Sequence, residues 1–239
     1  MSAWKSFGAT VIGPCHVASG KPNQDAWLGR QYCWGNVVAV SDGLGSCQHA
    51  EVGSAAACRA VAEAAKLCHL NAPVSPSDLL VLLQALWQTA VYPLAPRDCS
   101  ATCLFVIREQ EGRARMGMLG DGLVAGCRKN GKIDLLTEDK GDSFTNMTVG
   151  LASKDVQKKW RLLDRSEDEY DAFVLCTDGI SEDLLREAVD SFVTEFCEHY
   201  REEPQQRITQ DLRRWLTTWP VPGHTDDKTI ACLYKTGKL

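Results

Sequence analysis

The 239-residue sequence has no Cys-x-x-C pair, no run of lysine or arginine, and no apolar stretch of membrane-spanning length. Each absence narrows the function. With a formal net charge of -5 and no basic tract, neither nucleic acid nor an anionic membrane is expected as a partner. The opening residues "MSAWKSFGAT" lack the apolar core of a secretory signal, so a cytoplasmic protein is expected. Eleven cysteines invite a disulfide reading, but the number is odd and the chain is not small. Cys58 and Cys68 lie in an alanine-rich segment, and Cys176 and Cys232 in strand-like runs, as buried free thiols do. Cys99 and Cys103, the closest two, have no partners at zinc-finger spacing. Also missing are the G-x-S-x-G of serine hydrolases, the P-loop, and the Cys-x5-Arg loop of cysteine phosphatases.

What remains is ordinary in bulk. Hydrophobic residues make up 44% and charged residues 24%, the balance of a soluble globular protein. No repeat, low-complexity tract or linker interrupts it, and one domain over residues 1–239 is expected. Apolar patterning predicts strands at 6–13, 25–30 and 36–41. A helix follows at 51–70, with Arg59, Glu63 and Lys66 on one face and Ala57, Val61, Ala64 and Cys68 opposite. Pro76, Ser77 and Asp78 open a second helix, to about 91, whose apolar face is Leu79, Leu82, Leu83, Leu86 and Ala90. Strands are predicted at 101–108, 114–120, 123–128 and 132–137, then a surface loop or flap over 138–158. A strand pair at 160–164 and 171–177 precedes helices at 182–201 and 204–219, and a last strand covers 228–235. In the second of these helices Pro204 suits the first turn, and Ile208, Leu212, Trp215 and Trp219 share a face. Trp215 and Trp219 are expected in the core, Trp4 near the surface. Clustered strands with paired helices argue for antiparallel sheets covered by helices, not a doubly wound parallel sheet.

Three apolar segments end in Asp-Gly: "VVAVSDG", "MGMLGDG" and "FVLCTDG". An aspartate at the edge of a buried strand is costly unless its charge is used. For Asp121-Gly122 a hairpin turn is a sufficient explanation. Asp42-Gly43 and Asp178-Gly179 lead towards helices instead, where strand ends open into loops that bind ligands. Asp25 opens an early strand, and Asp226 and Asp227 precede the last one. If these strand ends converge, the crowded carboxylates must take up protons or bind cations. Oxygen ligands without Cys or His favour Mg²⁺ or Mn²⁺ over zinc. Two such ions activate water against phosphate esters.

The ordered set "NQDA", "SDGLGS…HAEVGS", "SAT", "GDG", "CTDGISE" and "TDDKT" resembles the metal-dependent serine/threonine protein phosphatases of type 2C, most of all the compact bacterial branch. The resemblance spans residues 6–235. It implies an α+β, four-layer αββα sandwich, two antiparallel sheets flanked by helix pairs. It implies two Mn²⁺ or Mg²⁺ ions, and water attacking phosphorus without a phosphoenzyme. Asp42 matches the aspartate bridging both metals, with the Gly43 carbonyl on one of them. Asp178 and Asp226 match the other metal ligands, Asp25 a carboxylate ordering water, and Asp121 the acid that helps hold a third metal. The implied substrate is a phosphorylated protein from a serine/threonine kinase pathway, and a monomer is expected.

The sequence also departs from the family pattern. Gln24 stands where glutamate is usual, "GDSR" is reduced to "GDG", and Asp226-Asp227 replaces "D-N". The arginine that grips phosphate is missing; Lys21 is the nearby point-charge substitute, without a bidentate fork. Leu44 occupies the place of a histidine proposed as general acid in animal members, leaving His16, His49 and His224 as proton-donor candidates. Glu51 suits the dipole at a helix start better than a metal. The departures keep two alternatives in view: a pseudophosphatase acting as a binding module, and a phosphatase of small phosphoesters.

Overall fold

The computed structural model describes residues 4–71, 74–110, 113–137, 148–166, 169–201 and 203–236. Two five-stranded antiparallel sheets face each other. One has the order β1 (Trp4–Val11), β10 (Lys228–Lys235), β9 (Tyr170–Cys176), β6 (Leu123–Arg128), β7 (Ile133–Thr137). The other runs β2 (Asp25–Tyr32), β3 (Gly35–Asp42), β4 (Cys103–Glu109), β5 (Arg113–Leu119), β8 (Arg161–Ser166). Helices α2 (Ala50–Leu70) and α3 (Pro76–Val91) cover the second sheet, and α5 (Val189–Arg201) and α6 (Gln205–Thr217) the first. Short helices α1 (Pro14–Ser19) and α4 (Asp178–Ser181) lie at strand ends. Among the described residues no helix is long and apolar enough to cross a membrane.

The central strands are apolar throughout because both faces are covered. In β3, Val37 and Ala39 pack under α2 and α3, while Val38 and Val40 join the layer between the sheets. β9 repeats this: Val174 and Cys176 face α5 and α6, Phe173 and Leu175 the inter-sheet core. A period of two thus operates inside an unbroken apolar run. α3 begins where Ser75 Oγ accepts the Asp78 N–H, with Pro76 in the first turn.

Four expectations change. Trp4 is buried, its ring 5.8 Å from Phe173 and beneath the Arg108 guanidinium, because β1 pairs along β10 and carries it between the sheets. The helix expected at 182–201 starts only at Val189; a 3-10 turn at Arg186–Ala188 precedes it, and Leu185 is exposed. Residues 138–147 of the expected flap lie outside the described residues. The rest is not a free surface loop: Leu151 is fully buried and its N–H donates to the Ala101 carbonyl at 2.9 Å. Lastly, the strands around Asp121-Gly122 are no hairpin, since β5 and β6 belong to different sheets.

Candidate metal centre

The end of β3 is held from both sides. Asp42 pairs with Asp25 across the β2–β3 ladder. On the other side, the Asp42 N–H donates to Thr102 Oγ1 at 2.9 Å and the Thr102 N–H to the Asp42 carbonyl at 2.8 Å. Ser41 Oγ donates to the Thr102 carbonyl at 2.6 Å. The "SAT" segment therefore works as a backbone strap, and Gly43 bridges to its Ala101. A Cβ on Gly43 would lie 2.3 Å from the Ala50 carbonyl oxygen, so only glycine lets the first turn of α2 come this close.

The other sheet delivers Asp178 where β9 turns into α4, its Oδ1 accepting the Gly179 N–H at 2.7 Å. Asp121 sits where the chain crosses from one sheet to the other. Gly120 and Gly122 supply the turn at φ 88° and 115°, left-handed values that favour glycine. One carboxylate oxygen each from Asp42, Asp121 and Asp178 lies within 4.8 Å of the other two.

Burial and mutual repulsion mark this end of the sandwich. Asp25 is pushed up to about 7, mainly by burial, against the lowering influence of Thr177, Thr229 and Asp42. Asp42 is raised well above the usual carboxylate range by burial, then by Asp25, Asp178 and Asp226. Asp178 is pushed up to about 8 by burial, then by Asp121, Asp226 and Asp25. Carboxylates crowded in this way call for a cation. Among the described residues, three buried oxygens at this end have no hydrogen-bond partner: Asp25 Oδ1, Asp121 Oδ1 and Gln24 Oε1. An all-oxygen donor set with unused lone pairs fits hard divalent ions such as Mg²⁺ or Mn²⁺.

The sequence model of protein phosphatase 2C matches residues 12–217. The chain belongs to the protein phosphatase 2C family. Solved structures share its fold at low identity. The catalytic domain of the serine/threonine phosphatase PstP, solved with two manganese ions, is 17% identical over 99% of this chain and 100% of its own, with a TM-score of 0.59. The photosystem II phosphatase PBCP is 17% identical over 97% of this chain and 98% of its own, with a TM-score of 0.62. A C. elegans sex determining protein is 14% identical over 98% of this chain and 65% of its own, with a TM-score of 0.67. No curated protein matches the sequence.

In this phosphatase 2C chain the neighbouring aspartates 226 and 227 do different things. Asp226 is exposed and outside the tight trio, yet close enough to raise Asp42 and Asp178. Asp227 is 1% exposed. Its Oδ1 accepts the Gly13 N–H at 2.6 Å, and its Oδ2 accepts the Gln24 N–H at 2.6 Å and lies 2.9 Å from His16 Nδ1. His16, Asp226 and Asp227 cluster as metal ligands sometimes do, but both Asp227 oxygens are already taken by Gly13, Gln24 and His16, so Asp227 offers no free ligand there. Lys228, equally buried, donates to the Asp226 carbonyl at 3.0 Å and lies 2.9 Å from His224 Nδ1, which removes His224 from the open site.

Lys21 is exposed and lines an open pocket of about 430 Å³ with Gln24, Gly45 and Glu51, adjoining Asp25 in sequence. His49 sits just before α2 without a side-chain cap bond, its backbone N–H donating to the Asp98 carbonyl, and it joins neither acidic group. Glu51 sits in the first turn of α2. Sequence reasoning missed the two threonines that position Asp25. Thr177 Oγ1 donates to Asp25 Oδ2 at 2.8 Å and accepts the Thr229 N–H at 3.1 Å. Their signal was present: a threonine flanks the aspartate motif in both "CTDG" and "DDKT".

Proposed function

We propose that this protein is a phosphoprotein phosphatase that hydrolyses phosphoserine and phosphothreonine with two Mn²⁺ or Mg²⁺ ions. The convergence of Asp42, Asp121 and Asp178 within 4.8 Å, from three remote chain segments, carries the reading. Asp42, the Gly43 carbonyl, Asp178 and Asp226 would hold the two ions, and Asp121 a third. When bound, such ions supply positive charge for the phosphoryl oxygens and activate water at neutral pH. The chain's own groups do the rest. Asp25, its Oδ2 held by Thr177 and its Oδ1 without a hydrogen-bond partner among the described residues, orients the attacking water. Gln24 Oε1 is a second acceptor without charge. Lys21 holds the phosphate from the adjoining pocket as a point charge. His16 is the proton donor to the leaving oxygen: its Nδ1 is engaged by the buried Asp227, which leaves Nε2 as the working nitrogen. The substrates are phosphoproteins of a serine/threonine kinase pathway, met by a cytoplasmic monomer.

Replacement tests this directly. Asp42→Ala and Asp178→Ala should each lower p-nitrophenyl phosphate turnover in Mn²⁺ by about 10³-fold with an unchanged circular dichroism spectrum. Unchanged turnover in both would remove the site. Gln24 and the missing arginine favour a second reading, a binding module with the same fold. Calorimetry separates the two, since the enzyme should take up at least two Mn²⁺ per chain. Comparing phosphopeptides with small phosphomonoesters tests the substrate class.

A further inference from the structure

Outside the acidic end, two thiols meet between a strand and a helix. Cys127 lies near the end of β6 and is half-buried; Cys197 lies on the buried face of α5. Their sulfurs are 3.8 Å apart although the residues are 70 positions apart in sequence. A disulfide needs about 2.05 Å, so closure asks for less than ~2 Å of combined side-chain movement. We propose that Cys127 and Cys197 are a site of reversible oxidation, closing to an intramolecular disulfide that pins α5 to β6.

The oxidant class is a low-molecular-weight disulfide such as oxidised glutathione. Cys127, the more exposed of the pair, loses its proton and attacks one sulfur of the small disulfide, forming a mixed disulfide and releasing one small thiol. Cys197 then loses its proton and attacks the Cys127 sulfur, releasing the second small thiol. The chain gives up two hydrogens, and the small disulfide is reduced to two thiols. Contact with Cys197, then burial, holds the Cys127 thiol well above its ordinary range. The same contact favours the Cys197 thiolate, although Cys232 and burial raise that thiol overall. Both thiols thus give up their protons reluctantly and both steps are slow, so the 3.8 Å approach of the two sulfurs is what favours closure. The inference is independent of the phosphatase reading.

The test treats the reduced full-length protein, under native conditions, with oxidised glutathione, then traps, digests and weighs the peptides. A linked Cys127–Cys197 peptide about 2 Da lighter than its parts is expected. The melting temperature should rise by about 5 °C and fall back with dithiothreitol. Cys127→Ser and Cys197→Ala should each lose both signals, with Cys127→Ala in reserve should serine disturb folding; Cys33→Ser and Cys232→Ala should keep them. Recovery of both thiols in reduced form, a Cys197–Cys232 bridge, or a lasting mixed disulfide on Cys127 would overturn the proposal.

Discussion

The two helix layers cover their sheets in opposite ways. α2 presents alanines, Ala56, Ala57, Ala60 and Ala64, all buried, and α3 lies close against it. Trp87 fills the joint completely, its indole N–H donating to the Gly53 carbonyl at 3.1 Å. Between α5 and α6 stand large rings instead: Phe192, Phe196, Tyr200 and Trp215, with a cavity of about 520 Å³ among them. Phe192 and Trp215 stack with centroids 6.2 Å apart. Small side chains let helices approach, and large ones hold them apart. So the half that supplies Asp25 and Asp42 is backed by a tight layer, and the half that supplies Asp178 and Asp226 by an open one.

The largest expected effect lies where the halves meet. Asp178 is pushed up to about 8 and Asp25 to about 7, both chiefly by burial. A carboxyl whose folded value is raised contributes stability below its unfolded value of about 3.9, lost as pH rises through the folded value. The metal-free protein should therefore melt at progressively lower temperature from about pH 4 to about pH 8, and Mn²⁺ should restore more at pH 8 than at pH 5. A flat melting curve in EDTA over that range would mean that the halves do not press their charges together.

Next in size is Gly53→Ala in the tight layer. The new Cβ would lie 1.7 Å from the Cys99 carbonyl oxygen, so the substitution should cost about 3 kcal/mol in urea unfolding. Trp215→Ala in the open layer should cost less, about 1–2 kcal/mol, because its ring is only partly buried and already borders a cavity. Equal losses would erase the contrast between the layers.

Much of this architecture was legible in the sequence because the local pattern and the global demand agree. The apolar run of β3 reads as a strand covered on both faces, and it is one. The alanine-rich segment reads as a helix, and α2 spans Ala50–Leu70. The misreadings are non-local. "GDG" satisfies the rules of a hairpin turn, and nothing nearby reveals that β6 leaves for the other sheet. Trp4 gains its burial from β10, more than two hundred residues away. The segment after Ser181 has helical composition, yet Asp183 is held by Trp219 Nε1 at 2.6 Å, and the helix resumes only at Val189. At the metal centre, the strand-end aspartates were visible one by one. Their grouping followed only from the family resemblance and not from local pattern, because the strap at Ser100–Thr102 and the crossing at Asp121 exist only in three dimensions.

The tie at Asp227 bears on how the protein is made. Gly13, His16 and Gln24 leave the ribosome some two hundred residues before the carboxylate that fastens them. Likewise β1 waits for β10, its one strand neighbour among the described residues. Asp25 and Asp42 can pair in an early hairpin, but the Thr177–Thr229 bond that seats Asp25 needs β10. A chain lacking residue 227 and β10 would carry Asp25, Asp42, Asp121 and Asp178 without the ties from Asp227 and Thr229 that seat Gln24 and Asp25.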